Sequence, residues 1–380
     1  MRVAIAGFGV GGAALAVALA RDGHNVSVYE RVPDPGPVGA GFLLQPSGQA
    51  VLADLELLDE VAAGAWPIRA FHADSAPGRT LSDLRYDRRD PTAHALGVSR
   101  GRLFTTLMTA ATAAGVRLES GVEVVDALAR DDTVVPIAAS SAELAPADIL
   151  VGADGMRSAV RRVVDPEARL FLSPFAALWG LGTTDAACEH RLLQQARGVG
   201  LLAGLLPVSE REAAVFWGVR VRELEALRAA GFDHLMERTS AVLPDARPVF
   251  ESIGSFDRLL LARYGHANVV RRYTDRIVLI GDAAHPSPPH LGQGANLALL
   301  DAAALADALH SERQPLAAFE RWHRRRRWQN TRYEILSRAL SPFFQSSHAW
   351  LGPARDLGLP IMGSIRPMRA FMEHVLAGRG

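Results

Sequence analysis

The chain has 380 residues, and its 41 basic and 41 acidic side chains cancel, so there is no long-range attraction to nucleic acid or an anionic membrane. Every basic residue is Arg; without Lys there can be no Schiff base, no P-loop Lys and no Lys relay. Cys188 stands alone, which excludes an internal disulfide and a thiolate-rich metal site and leaves it as a small apolar filler.

At 49% hydrophobic and 22% charged, this is an ordinary globular composition, and the length favours two or three domains. No uncharged apolar run reaches about 18 residues, so no transmembrane helix or stable membrane insertion is expected. The first strand begins at Arg2, leaving no room ahead of it for a signal peptide, and a cytoplasmic location follows.

Residues 2–6 read as a short apolar strand. Gly7-Phe8-Gly9-Val10-Gly11-Gly12 then opens a helix rich in Ala and Leu, and residues 24–29 form the next strand, closed by Glu30. In this strand-helix-strand context Gly7 permits a tight turn, Gly9 lets a pyrophosphate approach the backbone, and Gly12 lets helix and strand pack closely. Glu30 stands where a ribose hydroxyl pair is expected. This half alone suits NAD or FAD. Residues 31–41, from Arg31 on, form a Pro- and Gly-rich loop ending in Gly39-Ala40-Gly41, either a plain turn or a place where a ring passes near the backbone.

Residues 47–63 carry Leu at helical spacing, and residues 66–87 alternate as strands of a second unit. Ser99-Arg100-Gly101-Arg102-Leu103 starts another helix. Residues 116–128 and 134–142 read as a hairpin-like pair. Residues 147–151 form a strand ending in Gly152-Ala153-Asp154-Gly155-Met156-Arg157-Ser158, followed by a helix with Arg161 and Arg162. From 174 to 268 no cofactor motif occurs. Residues 176–181, 198–206 and 212–219 suggest sheet strands and residues 223–238 a helix. Trp179, Phe216 and Trp217 are the aromatics to watch in this stretch, although a Trp on a sheet is more often core than ligand wall.

Residues 277–280 are a buried apolar strand, and Gly281-Asp282 stops it with a carboxylate at its carboxyl end. A proline-rich loop follows. Gly292-Gln293-Gly294-Ala295-Asn296 then opens a helix running to Leu309, whose small first residues leave N–H groups uncovered for an electron-rich partner. Gly281, Asp282, Ala283, Ala284, His285, Pro289, Gly292, Gln293, Gly294 and Asn296 fill, without a gap, the second FAD fingerprint of the class A flavoprotein monooxygenases. The chain thus resembles the aromatic hydroxylases, the para-hydroxybenzoate and salicylate hydroxylase-like family.

That resemblance implies an α/β fold: a Rossmann-like FAD-binding domain from 1–70, 98–172 and 267–330, a mixed-sheet substrate domain from 71–97 and 173–266, and a C-terminal helical segment, 331–380. It implies non-covalent FAD, held by Gly7, Gly9, Gly12, Glu30, Arg31, Gly41, Arg100 (with Arg102 as near rival), Asp154, Gly281, Asp282, Pro289, Gly292, Gly294, Ala295 and Asn296. NADH or NADPH would reduce the flavin, O2 would add at C4a, and the hydroperoxide would hydroxylate a small phenol-like or heteroaromatic ring. Arg157, Arg161 and Arg162 could meet the phosphates of the nicotinamide cofactor, or form an exposed face. Pro289 would turn its carbonyl to the substrate. His290 is the nearest titratable candidate for a general base, with a surface histidine as the plainer reading, and His285 belongs to the motif for structural reasons. The two do not make a metal site. An FAD-dependent dehydrogenase or reductase on the same fold, or a non-catalytic flavin-binding partner, remain the alternatives.

Residues 315–338 read as a helix whose Arg324-Arg325-Arg326-Arg327 run is expected to be a solvated face. The Pro- and Gly-punctuated remainder suggests terminal helices that pack across the substrate domain or form a dimer face, leaving monomer or homodimer open.

Overall fold

A computed structural model describes residues 1–36, 40–76, 78–88, 90–185 and 188–378. Five strands form a parallel sheet in the order Ile277–Leu279, Ile149–Gly152, Arg2–Ala6, Asn25–Glu30, Arg117–Ser120. Parallel strands need both faces covered, which is why they read as nearly unbroken apolar runs. One face packs on helices Val10–Arg21, Arg100–Ala113 and Gly294–Ser311 through a core that includes Ile5, Leu15, Val28, Leu103 and Leu305. The other is covered by the hairpin Val124–Arg130/Thr133–Ala138 and the short helix Val160–Val164. The hairpin therefore begins later than residue 116, because residues 117–120 belong to the parallel sheet.

A seven-stranded sheet stands beside this layer, in the order Leu260–Ala267, Leu170–Thr183, Glu212–Arg220, Leu201–Pro207, Arg191–Arg197, Ala70–Ala76, Arg79–Arg85. Only the pair Arg191–Arg197 and Ala70–Ala76 runs parallel. Its outer face carries Leu178, Ala203, Val215 and Trp217 and is covered by helices Leu224–Ala229, Phe232–Ser240 and Arg247–Ile253. Gly231, at φ +93°, splits what the periodicity suggests is one helix. The inner face turns toward the three-stranded sheet of Gly41–Leu44, Ala95–Ser99 and Trp66–Ile68.

The long helix Pro315–Phe344 and the helices Leu351–Ser364 and Arg366–Leu376 bind both layers together. Arg355 donates to the carbonyls of Gly198 and Phe343 at 2.7 and 3.0 Å, and the Gln293 amide donates to Leu376 O at 2.8 Å. No helix among the described residues is long and apolar enough to cross a membrane.

Candidate functional site

The motif residues gather at the carboxyl ends of the parallel strands, where ligands bind in open α/β sheets. Gly7 turns at φ +100°, and a Cβ there would lie 2.5 Å from Ala153 O; one on Gly12 would lie 2.1 Å from Gly7 O. Both glycines are required by packing. Gly9 differs: a Cβ there meets nothing within 4 Å, and Gly9 leads into helix Val10–Arg21 with no side chain capping it. Its open side exposes helix N–H groups. Glu30 is fixed at the strand end, where it accepts Phe8 N–H at 2.8 Å and Val32 N–H at 2.9 Å, and Arg31 follows in exposed loop.

Opposite this loop the second motif repeats the arrangement. Gly281 turns at φ +57° and Gly292 at φ +62°; neither Gly292 nor Gly294 is covered, and the helix Gly294–Ser311, with Ala295 in its first turn, has no side-chain cap. Asp282 Oδ1 lies 4.0 Å from where a Cβ on Gly294 would be. Asp282 and Arg100 are open to solvent, yet surrounding protein pushes the Asp282 carboxyl up and the Arg100 guanidinium down, each partly countered by the other's charge. Water-accessible but desolvated is what side chains lining a deep cleft show. Arg102 guanidinium sits instead against Gly64, away from Asp282.

Several motif residues hold the cleft in shape. Asn296, fully buried, accepts Gln45 N–H at 2.8 Å and donates to Leu43 O at 3.0 Å, tying the helix to strand Gly41–Leu44. Asp154 Oδ2 accepts Ala159 N–H at 2.7 Å and Val160 N–H at 3.2 Å, capping the helix Val160–Val164; burial nonetheless pushes its carboxyl up. Gly41 is small because a Cβ would meet Ala214 Cβ at 2.6 Å and Val208 Cγ1 at 2.8 Å, so the seven-stranded sheet accounts for it. Gly39 lies outside the described residues. Pro289 O accepts Gly292 N–H at 2.9 Å, closing a tight turn.

His285 Nε2 meets Asp301 Oδ2 at 2.5 Å, and Asp301 also accepts Gly281 N–H at 3.0 Å, Arg326 Nε at 2.8 Å and Asn330 Nδ2 at 3.1 Å. Burial alone would push Asp301 up, but His285 and Arg326 outweigh it and hold the carboxyl well below the usual range. This corrects the reading of the arginine run: Arg326 is buried and its neighbours are not, because it faces a carboxylate in the core. The signal was Asp301 itself, an acid set between Leu300 and Ala302 in an Ala- and Leu-rich helix. Arg161 is a second correction. It is buried and donates to Met156 O at 2.6 Å and Ala283 O at 3.1 Å, so it braces the cleft, while Arg157 and Arg162 are exposed.

Strand alternation divides the three aromatic candidates. Trp179 pairs with Phe216 across the ladder and their rings lie 5.0 Å apart, on the inner face. Trp217 is next in sequence, so it points to the outer face, 2% exposed in the core under the helices. It is not a cleft wall. Tyr264 and Phe344, which sequence reasoning missed because they lie far apart in the chain, instead flank His290 at 6.4 and 6.0 Å between ring centres. Neither His290 nitrogen has a hydrogen-bond partner among the described residues, and burial pushes its pKa down to about 4.

Uncapped helix starts, a placed Glu30 and a desolvated Asp282 beside Arg100 together fit a dinucleotide such as FAD. The FAD binding domain family model matches residues 1–327. The chain belongs to this family. The flavoprotein is 32% identical over 323 residues to 3-amino-4-hydroxybenzoate 2-monooxygenase of Streptomyces cremeus, covering 81% of this chain and 78% of that one. It is 30% identical to 2-heptyl-3-hydroxy-4(1H)-quinolone synthase of Pseudomonas aeruginosa (strain UCBPP-PA14), with 80% of each chain covered. Among solved structures, Klebsiella pneumoniae HpxO complexed with FAD superposes with a TM-score of 0.83 at 22% identity over 100% of this chain and 99% of that one. P. aeruginosa PqsL in complex with 2-aminobenzoylacetate gives 0.81 at 25% identity, over 93% and 98%. The flavoprotein is thus an FAD-dependent monooxygenase, and the expected combination of parallel sheet, mixed sheet and C-terminal helices is its fold.

Proposed function

We propose that this monooxygenase hydroxylates a small aromatic ring, phenol-like or heteroaromatic, with NADH or NADPH as reductant and O2 as co-substrate. The observation that carries the reading is the pairing of two surfaces: the glycine-lined cradle, and an inner sheet face that carries the Trp179–Phe216 ring pair and Tyr264, with Tyr264 and Phe344 flanking an unpartnered His290. Bound FAD supplies electron transfer and oxygen activation, and the chain supplies position and dryness. Glu30 would take the ribose hydroxyls, Gly7, Gly9 and Gly12 the pyrophosphate, Arg31 and Arg100 cofactor oxygens, and Asp282 a ribityl hydroxyl. Uncovered N–H groups at Gly294 and Ala295 would meet the electron-rich edge of the ring system, and Gly292, whose N–H is taken by Pro289 O, would shape the turn before them. Gly41, Asp154, Gly281, Pro289 and Asn296 would shape the cradle.

His290 enters this proposal in an altered role. A histidine pushed down to about 4 is neutral at working pH but a feeble base, so it orients a substrate hydroxyl or keto group by hydrogen bonding. The names of the relatives, an aminohydroxybenzoate monooxygenase and a hydroxyquinolone synthase, support rings bearing such groups. The location of the two larger sheets supports the division 1–70, 98–172 and 267–330 against 71–97 and 173–266, with 331–380 bridging them. A cytoplasmic setting and a monomer or homodimer complete the proposal.

The test follows NADH and NADPH oxidation by the FAD-loaded protein, with oxygen uptake and peroxide, across phenols, hydroxyquinolines and aminobenzoates. One compound should speed oxidation and gain an oxygen atom without matching peroxide. Substrate oxidation that needs no oxygen would instead make it a dehydrogenase on this fold, and no turnover with any compound would leave a flavin-binding partner.

A further inference from the structure

Behind the seven-stranded sheet, on the side away from the cofactor cradle, lies a cavity of about 450 Å³, a size suited to one small molecule. Its floor is Trp217, and Leu227, from the covering helices, lines it too. Around it stand three guanidinium groups, Arg197, Arg220 and Arg238, against one carboxylate, Glu223.

Arg220 is ion-paired with Glu223 and lies over the Phe175 ring, but Arg197 and Arg238 have no carboxylate partner among the described residues. Arg220 lies 3.7 Å from Glu223 and gives one N–H to Ser346 O at 3.2 Å, while Arg197 gives one to Ser75 O at 2.5 Å. Arg238 has no ion pair or hydrogen bond among the described residues, and its guanidinium lies 5.8 Å from the Trp217 ring centre. Each retains N–H donors for an anion. A guanidinium on an indole beside an apolar wall suits a ligand with a flat apolar part and a planar charged end, whose carboxylate an arginine fork can grip with two parallel bonds.

We infer that this cavity is a second ligand site, separate from the catalytic cleft, and that it binds a small aromatic carboxylate. The sheet lies between the two sites: Trp217 faces this cavity and Phe216 the cleft, so the same molecule cannot touch both rings. Inorganic anions share only the charged end and lack the flat apolar part.

The experiment titrates the FAD-loaded protein with benzoate while recording tryptophan fluorescence, flavin absorbance and equilibrium dialysis. A saturable fluorescence change should occur with the flavin spectrum unaltered. Arg238→Ala, at an exposed position, should weaken it about tenfold or more. Trp217→Phe should abolish most of the signal while dialysis still reports binding, and Arg197→Gln should weaken binding as a second, independent variant. Three results would overturn the inference: no binding up to about 10 mM, a change matched by the flavin spectrum and indifferent to Arg238→Ala, which places benzoate in the catalytic cleft, or an equal response to inorganic phosphate, which reduces the site to loose ion pairing.

Discussion

His285 and His290 lie five residues apart in one loop, and both are shielded from solvent by the fold, yet they are opposites. His285 is locked to Asp301 in a network that also takes in Arg326, Asn330 and the turn at Gly281. His290 sits between aromatic rings with both nitrogens unpartnered. A buried polar group with every partner present is scaffold; one with none holds an unfavourable position that a ligand can relieve. The partners, more than membership of a motif, distinguish framework from site.

The largest effect should come from breaking the satisfied network. Asp301→Ala leaves Arg326 and His285 buried without their carboxylate, which should cost about 3–5 kcal/mol of stability and the bound flavin with it. Denaturant unfolding and the flavin-to-protein ratio measure both; a variant that unfolds like the parent and stays yellow would show the network to be incidental.

Next comes the pair Trp217 and Phe216, which carries the same contrast across one strand. Trp217→Ala empties a core position and should lower stability by about 3–5 kcal/mol. Phe216→Ala should cost less stability and raise KM for the aromatic substrate about tenfold, through lost ring packing. If the two variants exchange these signatures, the assignment of sheet faces is wrong.

His290→Leu tests the unsatisfied member. Removing an unpartnered buried imidazole should leave the melting temperature unchanged or raised, whereas the lost hydrogen bond to substrate should raise KM about tenfold. His290→Gln, which keeps a donor and an acceptor, should recover part of the loss. A variant that loses stability but keeps KM would assign His290 to the scaffold.

These contrasts also explain what was legible in the chain. The cradle could be read because its parts are local: Gly7, Gly9 and Gly12 lie within one turn, and Gly281-Asp282 is a strand end whose loop leads directly to Gly294. The aromatic inner face of the seven-stranded sheet could not, since Trp179, Phe216, Tyr264 and Phe344 meet only through antiparallel pairing and a helix from the far end of the chain. Trp217 shows the limit more sharply. Composition marks it as readily as Phe216, but only the register with Leu178 decides which face it takes. The arginine run failed for the same reason, for nothing local to Arg326 announces that Asp301 waits 25 residues earlier.

The most local effect, and one that vanishes at neutral pH, is a pH dependence that belongs to His290 alone. In the unfolded chain its imidazole takes up a proton near the ordinary value of 6.5, while in the fold burial pushes it down to about 4. Between these values the unfolded state holds the extra proton, so this group lowers stability as pH falls from 6.5 to about 4, and contributes no slope above or below that window. Other titrating groups are common to the parent and to His290→Leu and cancel in their difference. The variant's advantage in melting temperature should therefore be constant near neutrality and widen steadily as pH drops through the window. A difference that stays flat down to about pH 4.5 would mean that the imidazole is solvated, and the distinction between the two histidines would collapse.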